Sequence, residues 1–344
     1  MTGLTVWMLG MGSLAWGGGD IINGEEFTQG HYPETGGMLA GTVLTFGGSE
    51  YDLKMLMCSS TLIAPDVVLL AAHCVDFDYY EQMSGLEFDD VDIAFSRHAD
   101  LTEYNGQPAL SWPTDTVFAW EAVTHPGFSM ATLNVGLSEN NDIALLFLED
   151  AILTVEPAVL PSAAEASAVV EGAVVDIVGW GQQTSDQVPP SGTSMYKMGG
   201  SSVIGRVADF EFQVGPDLDD VRKCHGDSGG PTFLDLGGGK VRLIGVTSHS
   251  YDMTDCRETG GVDTRVDYYL DWIDAEMRSR CEDGTRVWCE TDGIISSGFD
   301  WGGSNGSGED RDVKVTGCGC SQAAPQRPLG WLGLLLGMVA FRRR

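Results

Sequence analysis

The segment Cys224–Pro231, with the sequence Cys-His-Gly-Asp-Ser-Gly-Gly-Pro, limits the possible folds more than any other part of the chain. Glycines on both sides of Ser228 permit a tight turn that presents the serine hydroxyl together with inward-pointing backbone N–H groups. A serine hydroxyl is a weak nucleophile at neutral pH, so it needs a base to activate it and N–H groups to stabilise an oxyanion. Without such a base, the segment would be an ordinary glycine-rich turn.

Two other segments supply a base and a carboxylate. His73 follows an apolar run that predicts a buried strand, and Asp142 stands at the head of a second apolar run, Ile143 to Leu146. An imidazole near its ordinary pKa can accept the serine proton, and a buried carboxylate can fix its tautomer. We therefore expect His73, Asp142 and Ser228 to act together. Three further histidines are expected to be structural: His31, His98 and His125.

The hydropathy pattern between the ends of the chain is typical of β-structure. Short apolar and β-branched runs at residues 67–70, 174–178 and 241–246 are separated by clusters of Gly, Pro, Asn and Asp. One helical pattern occurs near the end, with i, i+3, i+4 spacing at Val266, Tyr269, Leu270, Ile273 and Met277. The sequence predicts an all-β body closed by one C-terminal helix.

The cysteines favour disulfides over metal chemistry. The chain has 8 cysteines and no Cys-Xaa-Xaa-Cys or His/Cys cluster with zinc spacing, so we predict no metal site. Disulfides form in exported proteins. An acidic stretch, Asp89 to Asp92, leaves a calcium site open as an alternative to a solvated acidic loop. The cysteines lie at positions 58, 74, 224, 256, 281, 289, 318 and 320.

The net charge limits the kinds of partner that the protein is expected to bind. With 50 acidic and 19 basic residues the formal charge is -31, and such a surface repels the phosphates of nucleic acids. Strong self-repulsion is instead typical of a soluble, exported protein. We expect no nucleic acid partner.

The two ends resemble targeting segments rather than parts of a fold. Residues 1–19 contain a short apolar run followed by small residues, which predicts a signal peptide. Residues 281–316 are predicted to form a small disulfide loop and a Gly/Ser/Asp-rich linker. Residues 317–344 end in a second apolar run and three arginines, which predicts a membrane anchor or sorting tail.

These motifs together resemble the trypsin/chymotrypsin family over Ile21 to Met277. The resemblance implies a domain at residues 21–280 with two packed six-stranded antiparallel β-barrels, and a serine endopeptidase that needs no cofactor and acts on proteins or peptides. The matching motifs are Ile21-Ile22-Asn23-Gly24, Ala71-Ala72-His73-Cys74, Asn141-Asp142-Ile143-Ala144-Leu145, Val178-Gly179-Trp180-Gly181 and Gly226-Asp227-Ser228-Gly229-Gly230-Pro231.

The resemblance also implies roles for individual residues. The backbone N–H groups of Gly226 and Ser228 would form the oxyanion hole, and Ser248 would support Asp142. A new N-terminus at Ile21 would carry an ammonium that pairs with the buried carboxylate of Asp227, which switches the enzyme on. The implied disulfides are Cys58–Cys74 and Cys224–Cys256.

The resemblance also bears on substrate specificity. The resemblance places Arg222 at the base of the substrate pocket, next to Lys223, with Gly261 on the far wall. The family's usual Ser-Trp-Gly beside the substrate reads Ser248-His249-Ser250 here. Cations in this pocket would favour an acidic side chain before the cut bond, and Asp20 before Ile21 would permit self-activation. The alternative is a pocket for small or apolar residues.

The tail has a resemblance of its own. Gly317-Cys318-Gly319-Cys320, the apolar run and the final arginines resemble the MYXO-CTERM sorting tail of myxobacterial surface proteins. This implies processing near the cysteines and delivery to the cell surface or outer membrane, with a plain membrane anchor as the alternative. A second alternative concerns the whole chain, which could be an inactive protease homologue used as a surface binding module.

Overall fold

The structure is a computed structural model that describes residues 21–46, 49–84, 88–104, 111–133, 136–181, 195–252 and 256–289. The predicted signal peptide, most of the predicted linker and the predicted tail with Cys318 and Cys320 lie outside the described residues. The elements are β1 (Glu25–Glu26), β2 (Thr35–Phe46), β3 (Ser49–Ala64), β4 (Val67–Leu70), α1 (Phe77–Ser84), β5 (Asp89–Ser96), β6 (Val117–Thr124), β7 (Ala144–Leu148), β8 (Val174–Gly179), β9 (Met198–Val207), β10 (Glu211–Val214), β11 (Pro231–Asp235), β12 (Val241–Ser250), α2 (Cys256–Thr259), β13 (Gly261–Arg265) and α3 (Leu270–Glu282).

The first barrel closes in the order β2-β3-β4-β7-β6-β5. Every residue of β4 and β7 is buried, as expected for continuous apolar runs covered on both faces. The two strands pair antiparallel, with Leu70 opposite Ala144. His73 follows the end of β4 and Asp142 precedes the start of β7, so this pairing brings both residues to the same end of the barrel.

The second barrel is formed by β8 to β13. Its strands follow the order β9-β10-β13-β12-β11-β8, and the pairing of β8 with β9 closes the ring. Strand β1 extends it at the edge of β9. The expected architecture of two six-stranded antiparallel barrels is therefore confirmed.

The C-terminal helix begins later than the apolar spacing indicated. Residues Val266–Tyr268 form a 3-10 turn, and α3 then runs from Leu270 to Glu282. Spacing of i, i+3 suits both helix types, so the sequence pattern does not separate the turn from the helix. Leu270, Ile273 and Met277 are buried and pack with the core of the first barrel.

The packed structure extends past the predicted domain boundary at residue 280. The guanidinium of Arg286 donates to both carboxylate oxygens of Asp66, at 3.2 Å and 2.5 Å, and both side chains are almost fully buried. The backbone N–H of Trp288 also donates to Asp66, at 3.0 Å. Arg286 and Trp288 are thereby held against Asp66 of the first barrel.

We expect Asp66→Ala to lower the free energy of unfolding by about 3–5 kcal/mol, because it leaves the buried Arg286 cation uncompensated. Urea unfolding followed by fluorescence measures the change. Arg278→Ala is the matched control, since Arg278 forms a more exposed i,i+4 ion pair with Asp274 that contributes about 0.3–0.5 kcal/mol. Equal effects of the two substitutions would contradict this role for Asp66.

Two disulfides occur among the described residues. Cys58 bonds to Cys74, with Cα atoms 6.1 Å apart, and Cys281 bonds to Cys289. Cys224 is also disulfide-bonded, whereas the side chain of its predicted partner, Cys256, lies outside the description. Within the described ranges, no helix has both the length and the hydropathy needed to cross a bilayer.

Candidate active site

One cleft of about 220 Å³ collects the predicted site residues from distant parts of the sequence. The turn after β4 and the loop between β6 and β7 line one side, and segments of the second barrel line the other. The lining residues are His73, Met130, Leu133, Lys223, Cys224, His225, Ser228, Thr247, Ser248, His249, Ser250 and Gly261.

His73 lies in a short 3-10 turn, Ala72–Val75, directly after β4. The turn is buried, and the disulfide between Cys74 and Cys58 fastens it to β3. The backbone of His73 is therefore held beside the cleft.

Asp142 holds His73 through both of its carboxylate oxygens. Oδ1 accepts the backbone N–H of His73 at 2.9 Å, and Oδ2 lies 2.7 Å from His73 Nδ1. The hydroxyl of Ser248 donates to the same Oδ2 at 2.5 Å, and Thr264 donates to the backbone carbonyl of Asp142 at 2.9 Å. The carboxylate is fully buried, and its contact requires that His73 carry a proton on Nδ1.

Asp142 and His73 shift each other's pKa values. Burial alone would lower the pKa of His73, but the charge of Asp142 and their hydrogen bond raise it above its ordinary value. Burial alone would raise the pKa of Asp142, but His73 and the hydrogen bond from Ser248 lower it. Asp142 thus stays ionised, while the Nε2 of neutral His73 has an increased affinity for a proton.

Ser228 lies in a turn whose backbone requires glycine at two positions, one before and one after the serine. Gly226 and Gly229 have φ values of 94° and 76°, and a Cβ on Gly229 would lie 2.3 Å from the carbonyl oxygen of Ser59. The N–H of Ser59 donates to the carbonyl of Ser228 at 2.9 Å, which ties the turn to the first barrel. Among the described residues no hydrogen bond joins Ser228 Oγ to His73 Nε2, a contact that often tightens only when substrate binds.

Asp227 is buried beside this turn. It accepts the N–H of Gly181 at 2.7 Å and that of Cys224 at 2.9 Å, yet burial raises its pKa to about 7. Ile21 is buried in the core of the second barrel, and Ile22 exchanges two backbone hydrogen bonds of 2.9 Å with Arg222. In the intact chain the nitrogen of Ile21 is an uncharged amide, so it carries no ammonium for Asp227.

The two predicted pocket cations differ in their placement. Lys223 lines the cleft, but its ammonium is buried against the carboxylate of Asp263, at 2.8 Å, and the hydroxyl of Thr232, at 2.6 Å. Arg222 is buried, is not among the lining residues and packs beside Gly215. Of the two cations, only Lys223 is therefore among the described residues that line the cleft.

Gly261, Ser248, His249 and Ser250 all line the cleft. A Cβ on Gly261 would lie 3.4 Å from the Cβ of Lys223, so the glycine leaves space opposite that side chain. The imidazole of His249 lies 3.0 Å from Ser248 Oγ and 3.1 Å from the carbonyl oxygen of Gly136.

Sequence reasoning missed two buried acids near the site. Asp263 neutralises Lys223, and Glu211 accepts hydrogen bonds from Ser138 and Asn140 at 2.8 Å and 2.9 Å, in the loop that leads to Asp142. Burial raises the pKa of Glu211 to about 8. An acid inside the otherwise apolar start of β13 was a usable signal for Asp263, whereas nothing in the sequence distinguishes Glu211 from the many exposed acids.

One group of described residues has the proximity of metal ligands, namely Cys58, His73 and Cys74. Its two sulfur atoms form a disulfide, so they are not thiolates that could bind a metal. The acidic stretch considered for calcium lies in β5, where Asp90 and Asp92 are exposed.

Comparison with known proteins agrees with this geometry. The family model described as Trypsin matches residues 21–273. The chain is 27% identical to melanization protease 1 of Drosophila melanogaster, over 76% of this chain and 66% of that protein. It is 26% identical to human kallikrein-11, over 67% and 74% of the two chains, and 26% identical to trypsin-1 of Astacus astacus, over 74% and 99%.

Proposed function

Since the chain belongs to the trypsin family of serine proteases, we propose that it is an endopeptidase in which Ser228 is the nucleophile, His73 the base and Asp142 the carboxylate that orients the base. The observation that carries this proposal is the double contact of Asp142 with His73, which lines the same cleft as Ser228. Hydrolysis of a peptide library by the purified protein, read by mass spectrometry, is the direct test.

In the proposed reaction, Ser228 Oγ bonds to the substrate carbonyl carbon while its proton passes to His73 Nε2. The C–N bond then breaks, and His73 returns the proton to the leaving amine. Water repeats both steps on the acyl-enzyme and releases the acid and Ser228. The N–H groups of Gly226 and Ser228, presented by the positive φ of Gly226, are proposed to hold the oxyanion.

Cleavage before Ile21 is proposed to activate the protein. The new ammonium would pair with Asp227, which is otherwise a buried acid with a pKa of about 7. Because the pKa of Asp227 is raised in the folded protein, the protonated carboxyl stabilises the folded state. This contribution to the free energy of unfolding is present at acidic pH and is lost as the pH rises through about 7.

We expect the uncleaved chain to lose more stability between pH 5 and pH 8 than the protein that begins at Ile21. Urea unfolding of both forms, in a Ser228→Ala background that prevents self-cleavage, measures this difference. Asp227→Asn is expected to abolish it. Identical pH dependence of the cleaved and uncleaved forms would show that Ile21 and Asp227 do not pair.

A preference for acidic side chains before the cut bond is the proposal for specificity. Lys223 lines the cleft opposite the space at Gly261, and Asp20 precedes the proposed activation site. Two observations weigh against it, since Asp263 neutralises Lys223 and Arg222 does not line the cleft. The competing proposal is a pocket for small or apolar residues.

Matched peptides that end in Asp, Glu, Arg, Leu or Ala before the cut bond separate the two proposals. With acidic specificity, kcat/KM is higher for Asp and Glu than for Leu and Ala, and Lys223→Met removes most of that preference. Arg206→Ala, which changes an exposed cation of β9, is the control. No advantage for Asp and Glu, or faster cleavage after Arg, would exclude acidic specificity.

Export is proposed from the signal-like residues 1–19, and delivery to the cell surface from the MYXO-CTERM-like residues 317–344. The described disulfides support export, because such bonds form in oxidising compartments. An intact mass that ends near Cys320 is expected for the surface form. A surface form that still ends at Arg344 would contradict processing of the tail.

A further inference from the structure

The side chain of His249 links the carboxylate of the proposed triad to a loop of the first barrel. Its Nδ1 lies 3.0 Å from Ser248 Oγ, and its Nε2 lies 3.1 Å from the carbonyl oxygen of Gly136. Ser248 Oγ is in turn 2.5 Å from Asp142 Oδ2. Four groups thus form one continuous chain of contacts: Asp142, Ser248, His249 and Gly136.

Counting protons along this chain shows which form of the ring satisfies every contact. An ionised carboxylate only accepts hydrogen bonds, so the contact with Asp142 uses the one proton of the Ser248 hydroxyl. Ser248 Oγ then has only lone pairs to offer, and His249 Nδ1 must donate to it. The carbonyl of Gly136 also only accepts, so Nε2 must donate as well. All contacts are satisfied together only when His249 is an imidazolium.

We propose that His249 is a positioning residue whose cationic form fastens the loop at Gly136 to Ser248 and Asp142, and whose deprotonation at Nε2 breaks its contact with Gly136. The proton leaves from Nε2 because the Ser248 hydroxyl stays with the charged carboxylate, the stronger acceptor. Nδ1 therefore keeps its hydrogen, and the lone pair left on Nε2 repels the carbonyl oxygen of Gly136.

The connection between β6 and β7, to which Gly136 belongs, borders the substrate cleft. Met130 and Leu133, which line the cleft, lie in the same connection between β6 and β7 as Gly136. A second attachment remains, because the N–H of Gly136 donates to the carbonyl of Tyr251 at 2.8 Å. The consequence for catalysis rests on the proposed peptidase function, and it is a weaker hold on substrate rather than a loss of chemistry.

The groups that face the ring determine where it titrates. Burial is the largest influence on the pKa of His249 and lowers it, and His73 lowers it as well. The Gly136 carbonyl, Asp142 and Asp263 raise the pKa. The resulting pKa lies below its ordinary value. These groups come from the loop before β7, the turn after β4 and strand β13. The pKa of His73 is shifted in the opposite direction, so the two imidazoles titrate in separate pH ranges.

Long-range 1H–15N NMR of the full chain carrying Ser228→Ala tests the proton count without any need for activity. His249 is assigned by the signals that disappear in His249→Gln. Both ring nitrogens are expected to be protonated below its pKa, and above it Nδ1 alone is expected to keep the hydrogen. A neutral ring with its hydrogen on Nε2 would overturn the proposal even if the protein is a peptidase.

Kinetics test the consequence for the cleft. For a peptide that the active protein cleaves, KM is expected to rise about 3–10-fold as the pH passes upward through the pKa of His249, as for the loss of one hydrogen bond. His249→Gln removes this step and leaves the kcat titration of His73 in place. His98→Gln is the control, because His98 is exposed, lies outside the connection between β6 and β7 and is not among the residues that line the cleft. A KM step that persists in His249→Gln would refute the role of His249.

Discussion

Ser228→Ala is expected to lower kcat by about 10⁶-fold, because the substitution removes the oxygen that forms the acyl-enzyme. Folding should change little. The flanking glycines with positive φ determine the turn, and the hydrogen bond from the N–H of Ser59 to the carbonyl of Ser228 does not involve the side chain. The free energy of unfolding is therefore expected to stay within about 0.5 kcal/mol of that of the wild type.

Steady-state cleavage of a fluorogenic peptide and urea unfolding measure the two quantities. Ser167→Ala is the control, since it removes an exposed hydroxyl that bonds only to the nearby carbonyl of Ala164. It should leave both quantities unchanged. Cleavage by pure Ser228→Ala protein above the trace level would remove Ser228 from the mechanism.

Asp142→Asn has the second largest expected effect, a loss of about 10⁴-fold in kcat. An amide at this position presents an N–H to His73 Nδ1, so the ring proton moves to Nε2, which then cannot accept the proton of Ser228. The substitution also removes the charge that raises the pKa of His73. The acid limb of the kcat/KM profile should therefore move to lower pH.

The direction of the pH dependence of wild-type activity follows from the same contact between Asp142 and His73. His73 accepts a proton only in its neutral form, so activity falls as the pH drops through its pKa, which lies above the ordinary 6.5. Asp150→Asn, an exposed acid after β7, should leave both rate and profile unchanged. An acid limb that does not move in Asp142→Asn would show that Asp142 does not control the titration of His73.

The sequence predicted those features that are encoded in one continuous segment. Apolar runs predicted β4 and β7 because strands covered on both faces need no polar positions. The turn around Ser228 was predictable because its backbone tolerates only glycine at two positions. The pairing of Leu70 with Ala144 then explains why His73 and Asp142, 69 residues apart, meet at one end of a barrel.

Features that depend on the direction of one side chain were not predictable. Lys223 and Asp263 are 40 residues apart, and nothing local indicates that one neutralises the other. The same limit applies to Arg222, because its sequence position alone does not show that its side chain lies outside the described lining of the cleft. Asp66 and Arg286 are 220 residues apart, so nothing local indicates that the predicted disulfide loop after residue 280 contacts the first barrel.

Labelling with a fluorophosphonate probe tests the central claim most directly, since the probe reacts only with a serine that a neighbouring base activates. The protein that begins at Ile21 is treated with the probe, digested and sequenced by mass spectrometry. The account predicts one adduct, on Ser228, which disappears in Ser228→Ala and becomes much slower to form in His73→Ala. A folded protein that gains no adduct on Ser228, or gains it equally fast without His73, would contradict the account and favour a binding module without catalysis.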